Sequence, residues 1–171
     1  MATKNQQVET RLIAEYVKER YSAFPFTLKQ PLGGVDADLA RSMGFDKALR
    51  LSRPSRPEAD AVVFHTKWLI LIEAKVWHII DGLAKLPLYK SLIPTTPELV
   101  QYRDMPVSME IVVPWTNPNL ETMAKSVGAQ IVLFKPLWID EVVEKVQRYT
   151  TREYRAEREE KNRLRELLGL D

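Results

Sequence analysis

The stretch that decides the fold is residues 68–77, which read WLILIEAKVW. Apolar residues occupy both alternating faces of this run, which is typical of a buried strand in the middle of a sheet. Glu73 and Lys75 have the same parity and therefore lie on one face, whereas Ala74 points to the other. Because burying a charge costs free energy unless the charge is paired, this acid and this base indicate a functional site.

A predicted β-hairpin brings a second acidic residue to the same face. Residues 61–64 form a short apolar run, and three polar residues separate it from the longer strand. A chain that folds back about Thr66 and Lys67 places Asp60 directly opposite Glu73. Two like charges so placed repel each other and raise one pKa unless a cation lies between them. The pattern predicts a divalent-metal site, and oxygen ligands without cysteine or paired histidine favour Mg²⁺ or Mn²⁺.

The spacing of these residues resembles a known motif. Asp60, a gap of twelve residues and then Glu73-Ala74-Lys75 on a hydrophobic strand is similar to the signature of the PD-(D/E)xK nuclease superfamily. The resemblance, which covers about the first two thirds of the chain, implies a restriction-endonuclease-like α/β fold, with a mixed central sheet flanked by helices. It also implies hydrolysis of DNA phosphodiester bonds with Mg²⁺ or Mn²⁺. Asp60, Glu73 and the Ala74 carbonyl would hold the metal, and Lys75 would orient or activate the attacking water.

Two features of the motif leave alternatives open. The proline of the family usually adjoins the first acid, whereas the proline here precedes Asp60 by three positions, and Glu58 shares the parity of Asp60 as an alternative ligand or a solvated residue. In the family a glutamate of the first helix often completes the metal site. This favours Glu9 as a further catalytic residue, with Glu15 and Glu19 as competitors.

A basic segment precedes the first acid and suggests a nucleic-acid contact. Residues 41–57 carry five basic side chains and one acidic one, and they run straight into Asp60. Guanidinium groups at the mouth of the site suit phosphate oxygens, although a solvated, proline-stiffened loop would have the same composition. Lys85 and Tyr89, four apart on one helix face, resemble the Gln-x-x-x-Tyr element of some family members, with lysine in place of glutamine. We therefore expect DNA contacts from Arg50, Arg53, Arg56, Lys85 and Tyr89.

Hydrophobic spacing predicts the elements around the hairpin. A strand, helix and strand with short links near residue 120 predict a parallel pair with a right-handed crossover. We expect a nuclease-like domain over residues 1–139 and a helical extension over residues 140–171. The predicted elements are a helix over 8–21, a short helix capped by Asp36 and ending at Met43, a strand over 47–52, strands over 61–64 and 68–76, a helix from Asp81 to Pro94, a strand over 109–113, a helix over 117–127 and a strand over 131–134.

The C-terminal region predicts one long charged helix that starts at Asp140. Residues 152–163 are nearly all charged, which is typical of a solvated helix stabilised by ion pairs four residues apart. Apolar residues then return at the tip, where they suggest a contact with a second copy of the chain or another protein. The stripe expected to dock on the domain is Val142, Val143, Val146 and Tyr149, and the tip is Leu164, Leu167, Leu168 and Leu170.

Length and composition limit the function classes. The chain has 171 residues, a formal net charge of +2 and no cysteine. We expect one ordinary domain without disulfides, no membrane span, no signal peptide and a cytoplasmic location. The main alternative to an active nuclease is a nuclease-like fold without catalytic activity that serves as a nucleic-acid-binding or assembly module. A third reading is an unrelated α/β protein in which Glu73 and Lys75 form a structural ion pair.

Overall fold

A mixed five-stranded sheet organises the fold. The computed structural model describes residues 4–148 and 152–167 of the chain. In both chain order and sheet order the strands are β1 (Phe26–Pro31), β2 (Glu58–Phe64), β3 (Leu69–Ala74), β4 (Val107–Val113) and β5 (Ala129–Leu133). Antiparallel pairing joins β1 to β2 and β2 to β3, whereas parallel pairing joins β3 to β4 and β4 to β5. The predicted mixed α/β sheet and the parallel final pair are confirmed.

Helices of the unit Met1–Phe134 cover both faces of this sheet. Residues Leu83 and Leu86 pack with Leu69 and Leu71 of β3 in the main hydrophobic cluster. On the other face, the Tyr16 hydroxyl donates a hydrogen bond to Glu110 of β4. The helices are α1 (Lys4–Tyr21), α2 (Ala37–Met43), α3 (Phe45–Ser52), α4 (Ile79–Leu92), α5 (Pro118–Ser126), α6 (Trp138–Arg148) and α7 (Arg152–Leu167), with short 3₁₀ turns over Arg53–Ser55, Ile93–Thr95 and Pro97–Tyr102.

The strand β3 is buried along its whole length. It lies between an antiparallel and a parallel neighbour, so both of its edges are paired, and helices pack on both faces of the sheet, so its side chains are mostly apolar. The hairpin register is the one that the sequence predicts, since Phe64 pairs with Leu69 and Ala61 pairs with Ile72. One further step along the same register places Asp60 opposite Glu73.

The prediction of a strand over residues 47–52 is wrong, because this segment belongs to helix α3. Ala48 and Ser52 are its buried residues, and their spacing of four is helical rather than the spacing of two expected for a half-buried strand. Gly44, at φ +85, separates α3 from α2 and permits the sharp change of direction. The short helix capped by Asp36 is confirmed, since its carboxylate accepts hydrogen bonds from the N–H groups of Asp38 and Leu39.

The C-terminal region forms a compact unit of its own over Lys135–Asp171, next in sequence to the unit Met1–Phe134. Helices α6 and α7 take the place of the single predicted helix, and residues 149–151 between them lie outside the described residues. Leu164 is exposed. The predicted contact residues Tyr149, Leu168 and Leu170 also lie outside the described residues, as do the side chains of Val146 and Leu167. The roles of this stripe and tip, and the division at residue 139, stay predictions.

Among the described helices, none is long and apolar enough to cross a membrane. The longest, α1, is interrupted by charged side chains along its length. The apolar residues Leu12, Ile13 and Val17 of α1 are buried, so its hydrophobic face is used for packing within the protein.

Candidate active site

Two buried carboxylates meet at one edge of the sheet, where β2 begins and β3 ends. Asp60 is 5% exposed and Glu73 is 2% exposed. The antiparallel register brings them together, and the N–H of Ala74 donates a hydrogen bond of 3.0 Å to Oδ2 of Asp60. The side chain of Asp60 is thereby tied to the neighbouring strand, which fixes its orientation relative to Glu73.

Lys75 connects these carboxylates to a third one. Its Nζ lies 3.1 Å from Oε1 of Glu73, 3.1 Å from Oε2 of Glu9 and 3.9 Å from Oδ2 of Asp60. Burial lowers the pKa of Lys75, but the negative charges of Glu73, Asp60 and Glu9 outweigh burial and raise the pKa well above its usual range. Lys75 is therefore an ammonium ion at neutral pH. It can donate hydrogen bonds and stabilise negative charge, but it cannot accept a proton.

Glu9 is the glutamate that the first helix contributes to this cluster. Besides Lys75, it accepts a hydrogen bond of 3.3 Å from the N–H of Val76 through Oε1. Its predicted competitor Glu15 forms an ion pair with Arg11 at 2.8 Å, and Glu19 lines a cleft with Phe134 at the β5 side of the sheet. Glu9 therefore bridges α1 and the end of β3.

Glu73 combines burial with an unsatisfied oxygen. Its Oε2 is buried and has no hydrogen-bond partner in the described part of the chain. Burial first, and then the charge of Asp60, raise the pKa of Glu73 to about 7, although Lys75 and Lys85 act in the opposite direction. A cation beside Oε2 would satisfy this atom and offset the repulsion between the two carboxylates.

The available donor atoms are of the chemical type that a hard divalent cation binds. Asp60 and Glu73 supply the carboxylate oxygens that Mg²⁺ and Mn²⁺ prefer. Across the described residues, no group of three or more histidine, cysteine, aspartate or glutamate side chains is arranged to hold a metal ion. A metal at this edge would therefore depend on two carboxylates together with oxygens that are not side-chain carboxylates, such as the Ala74 carbonyl. That ligand role of Ala74 stays a prediction, since the N–H of Ala74 is the group seen to engage Asp60.

Helix α4 brings two more predicted residues to the cluster. Nζ of Lys85 lies 3.9 Å from Oε1 of Glu73, and about half of the Lys85 side chain is exposed. Tyr89 is buried, and burial together with the charges of Glu73 and Asp60 raises its pKa to about 12. Tyr89 therefore remains a neutral hydroxyl, close enough to the acids to sense their charge.

Gly82 lets α4 approach the site closely. A Cβ at this position would lie 2.7 Å from Cγ of Lys75 and 3.0 Å from Cδ1 of Ile111. Only glycine permits this close packing of the helix against β3 and β4. An isolated glycine inside a helical pattern was the available signal for such an approach.

Lys29 is the site residue that sequence reasoning missed. The pairs Leu28 with Ala61 and Gln30 with Ala59 flank it in the β1–β2 register and place it opposite Asp60. Its Nζ donates a hydrogen bond to Oδ1 of Asp60. Lys29 also has a φ of +54, a left-handed conformation that is unfavourable for a lysine and that concentrates at functional sites.

The predicted arginines separate into two groups. The guanidinium of Arg56 is buried, donates a hydrogen bond of 2.7 Å to each carboxylate oxygen of Glu98 and also contacts the carbonyls of Pro31 and Leu32. Its donors therefore hold β1 to the turn Pro97–Tyr102, and the expected contact of Arg56 with DNA stays a prediction. Arg50 and Arg53 are exposed. Arg53 forms only a loose pair with Glu58, at 3.9 Å.

Comparison with known proteins gives distant structural likenesses alone. No protein-family model and no curated protein matches the chain. The chain is similar to a repair endonuclease from Pyrococcus abyssi, at 11% identity and a TM-score of 0.47, over 80% of this chain and 50% of that one. It is also similar, at 14% identity, to an EndoMS–dsDNA2 complex and to EndoMS in apo form, with TM-scores of 0.43 and 0.42, over 80% of this chain and 47% and 48% of those chains. The chain thus spans about half the length of these structures, and likeness at this level does not establish a shared activity.

Proposed function

We propose that this protein is a divalent-metal-dependent nuclease of the PD-(D/E)xK type that hydrolyses DNA phosphodiester bonds. The observation that carries the proposal is the pair of buried carboxylates, Asp60 and Glu73, facing each other beside Lys75 at one edge of the sheet. The unsatisfied oxygen of Glu73 supports a cation at this point. The acid-x-Lys spacing supports the assignment to this type of nuclease.

Each residue has a distinct task in this mechanism. Asp60 and Glu73 would hold Mg²⁺ or Mn²⁺, which supplies Lewis-acid chemistry and lowers the pKa of bound water. Lys75, always an ammonium, orients the attacking water by donating to it and stabilises the negative charge that develops on the phosphate. Glu9 positions Lys75 from the side of α1, so the ammonium is held before the substrate arrives.

The exposed cations near this edge provide a path for the DNA backbone. Lys85 reaches Glu73 with its Nζ while half of its side chain remains exposed, so it can contact a phosphate as well. Arg50 and Arg53 are exposed on the segment that leads into β2. The burial of Tyr89 favours a role in positioning Lys85 and α4 over stacking on a base.

A second candidate function has a specific observation in its favour. Lys29 holds Asp60, Lys75 holds Glu73 and Glu9, and Lys85 lies 3.9 Å from Glu73, so three lysines face three carboxylates. Such a cluster would also suit a nuclease-like fold that binds nucleic acid or assembles with a partner without cutting DNA. The two candidates differ in one respect: only the nuclease requires a divalent cation.

Cleavage assays separate these candidates. The full chain is incubated with supercoiled, linear, single-stranded and branched DNA, and with RNA, in Mg²⁺ or Mn²⁺. We expect metal-dependent cleavage of DNA that falls at least about a hundredfold in Asp60→Asn and in Lys75→Met. Asp104→Asn, at an exposed aspartate far from the carboxylate cluster in sequence, is the control and should cleave like the unmodified protein. Cleavage that survives both site substitutions would place the active site elsewhere, and DNA binding without cleavage would favour the second candidate.

A further inference from the structure

The oxygen atoms of Asp60 and Glu73 are not equally open to a cation. Oδ2 of Asp60 accepts the N–H of Ala74, and Oε1 of Glu73 accepts from Lys75. Oε2 of Glu73 has no hydrogen-bond partner among the described residues. Oδ1 of Asp60 is the oxygen held by Lys29. A cation bound by both carboxylates would therefore lie next to the Lys29 ammonium at Oδ1 of Asp60.

Of the two lysines that contact Asp60, Lys29 is the one that can leave. Its side chain is 42% exposed, and its ion pair is with Asp60. The Lys75 side chain is 12% exposed and is held by carboxylates on three sides. Water solvates this ammonium once it is released, and a cation bound at Asp60 would then compensate the buried carboxylate in its place. Lys29 therefore loses little by turning to solvent, whereas Lys75 would lose most of its partners.

The backbone conformation at Lys29 indicates that the sheet itself holds this lysine next to Asp60. The register places Lys29 opposite Asp60, and its φ of +54 departs from the extended conformation of the residues on either side in β1. A left-handed lysine costs free energy, so it persists only where the surrounding structure enforces it. The pairs on both sides of Lys29, formed with Ala59 and Ala61, supply that constraint.

We infer that Lys29 is a built-in competitor for the divalent cation. Its ammonium holds Asp60 in the metal-free protein and leaves when a cation binds between Asp60 and Glu73. Lys29 thereby sets the metal concentration at which the site fills. The inference rests on the proposed function for the metal site itself, but the competition requires no DNA and no cleavage.

The test is a titration of Mn²⁺ into the full chain, followed by calorimetry or by the electron paramagnetic resonance signal of free Mn²⁺. Lys29→Met removes the ammonium and keeps the length of the side chain. We expect it to bind Mn²⁺ roughly tenfold more tightly than the unmodified protein, because one positive charge beside a divalent ion is removed. Lys29→Arg keeps the charge and should stay close to the unmodified protein. Lys67→Met, in the exposed loop at the other end of the hairpin, makes the same change in net charge and should have no effect.

The outcomes distinguish the two proposals. Equal Mn²⁺ affinity in the unmodified protein and in Lys29→Met would overturn the competition and leave the proposed metal site intact. Absence of binding in every variant would overturn both. Binding that appears only in Lys29→Met would support the competition in its strongest form. Should Lys29→Met fail to fold, Lys29→Gln provides the same comparison, and Asp60→Asn in either background should abolish binding.

Discussion

Replacement of Gly82 by alanine tests whether α4 packs against Lys75 as closely as the structure indicates. In an exposed helix interior this change would stabilise the protein by about 1 kcal/mol, because alanine has the higher helix propensity. Here the new Cβ would lie 2.7 Å from Cγ of Lys75, 3.0 Å from Cδ1 of Ile111 and 3.4 Å from Cγ of Glu73. The first contact is with an atom near the Lys75 backbone, which has little room to move. Overpacking of this kind costs about 1–3 kcal/mol, so the net change is a destabilisation of up to about 2 kcal/mol.

The assay is urea denaturation of Gly82→Ala together with its DNA cleavage rate. We expect cleavage to fall by more than the loss of stability explains, because the displaced Lys75 no longer meets Glu73 and Glu9 in the same position. Ser91→Ala, at an exposed position of the same helix, is the matched control and should be neutral or slightly stabilising. A Gly82→Ala protein that is about 1 kcal/mol more stable and cleaves normally would refute the close approach of α4 to Lys75.

Three further predictions concern stability and charge. Glu73→Gln should stabilise the metal-free protein by about 3 kcal/mol at pH 8, because the folded pKa of about 7 exceeds the ordinary value of 4.5 and the folded protein loses about 1.4 kcal/mol per pH unit as pH rises between these values. This advantage should vanish below pH 4.5, and an advantage that grows as pH falls would show that the sign is wrong. Tyr16→Phe should destabilise the protein by about 1–3 kcal/mol in urea denaturation, because Glu110 loses a buried hydrogen-bond donor. DNA cleavage should stay unchanged, since Glu110 lies on the opposite face of the sheet from Glu73. Impaired cleavage by the folded variant would contradict this separation. Arg56→Met should cost roughly 2 kcal/mol through the loss of Glu98 as a partner, with DNA affinity in a binding assay close to that of the unmodified protein. A loss of DNA affinity as large as that caused by Arg53→Met would indicate that Arg56 contacts nucleic acid.

Local periodicity was sufficient to predict the centre of the site. Side-chain alternation placed Glu73 and Lys75 on one face, and the polar gap between two apolar runs fixed the register that brings Asp60 to Glu73. The inferences about these three residues depend on spacings of two residues and on one short loop, which a sequence records directly. Glu9 follows instead from the family resemblance, because a glutamate of the first helix often completes the metal site in that family.

The remaining features depend on long-range packing that spacing does not record. Lys29 was missed because β1 itself was not predicted: the strand is six residues long, ends in proline and contains a left-handed residue. The role of Gly82 follows from the approach of α4 to β3, which requires the three-dimensional packing. The ion pair of Arg56 could not be predicted because its partner Glu98 is 42 residues away in the chain.

The segment over residues 47–52 shows the limit of short apolar patterns. Its hydrophobic residues suit a strand or a helix, and the choice was decided by the burial of Ala48 and Ser52 against the rest of the protein. The preceding Gly44 was the better indicator, because a glycine with positive φ commonly separates two helices. Tertiary contacts override weak local preference in such segments.

The most direct test of the metal site is anomalous diffraction from crystals of the full chain soaked in Mn²⁺. We expect an anomalous peak bound by carboxylate oxygens of both Asp60 and Glu73, with the ammonium of Lys29 moved away from Asp60 and Lys75 still in place. An empty site at saturating Mn²⁺, with Lys29 still on Asp60, would refute the proposed metal site.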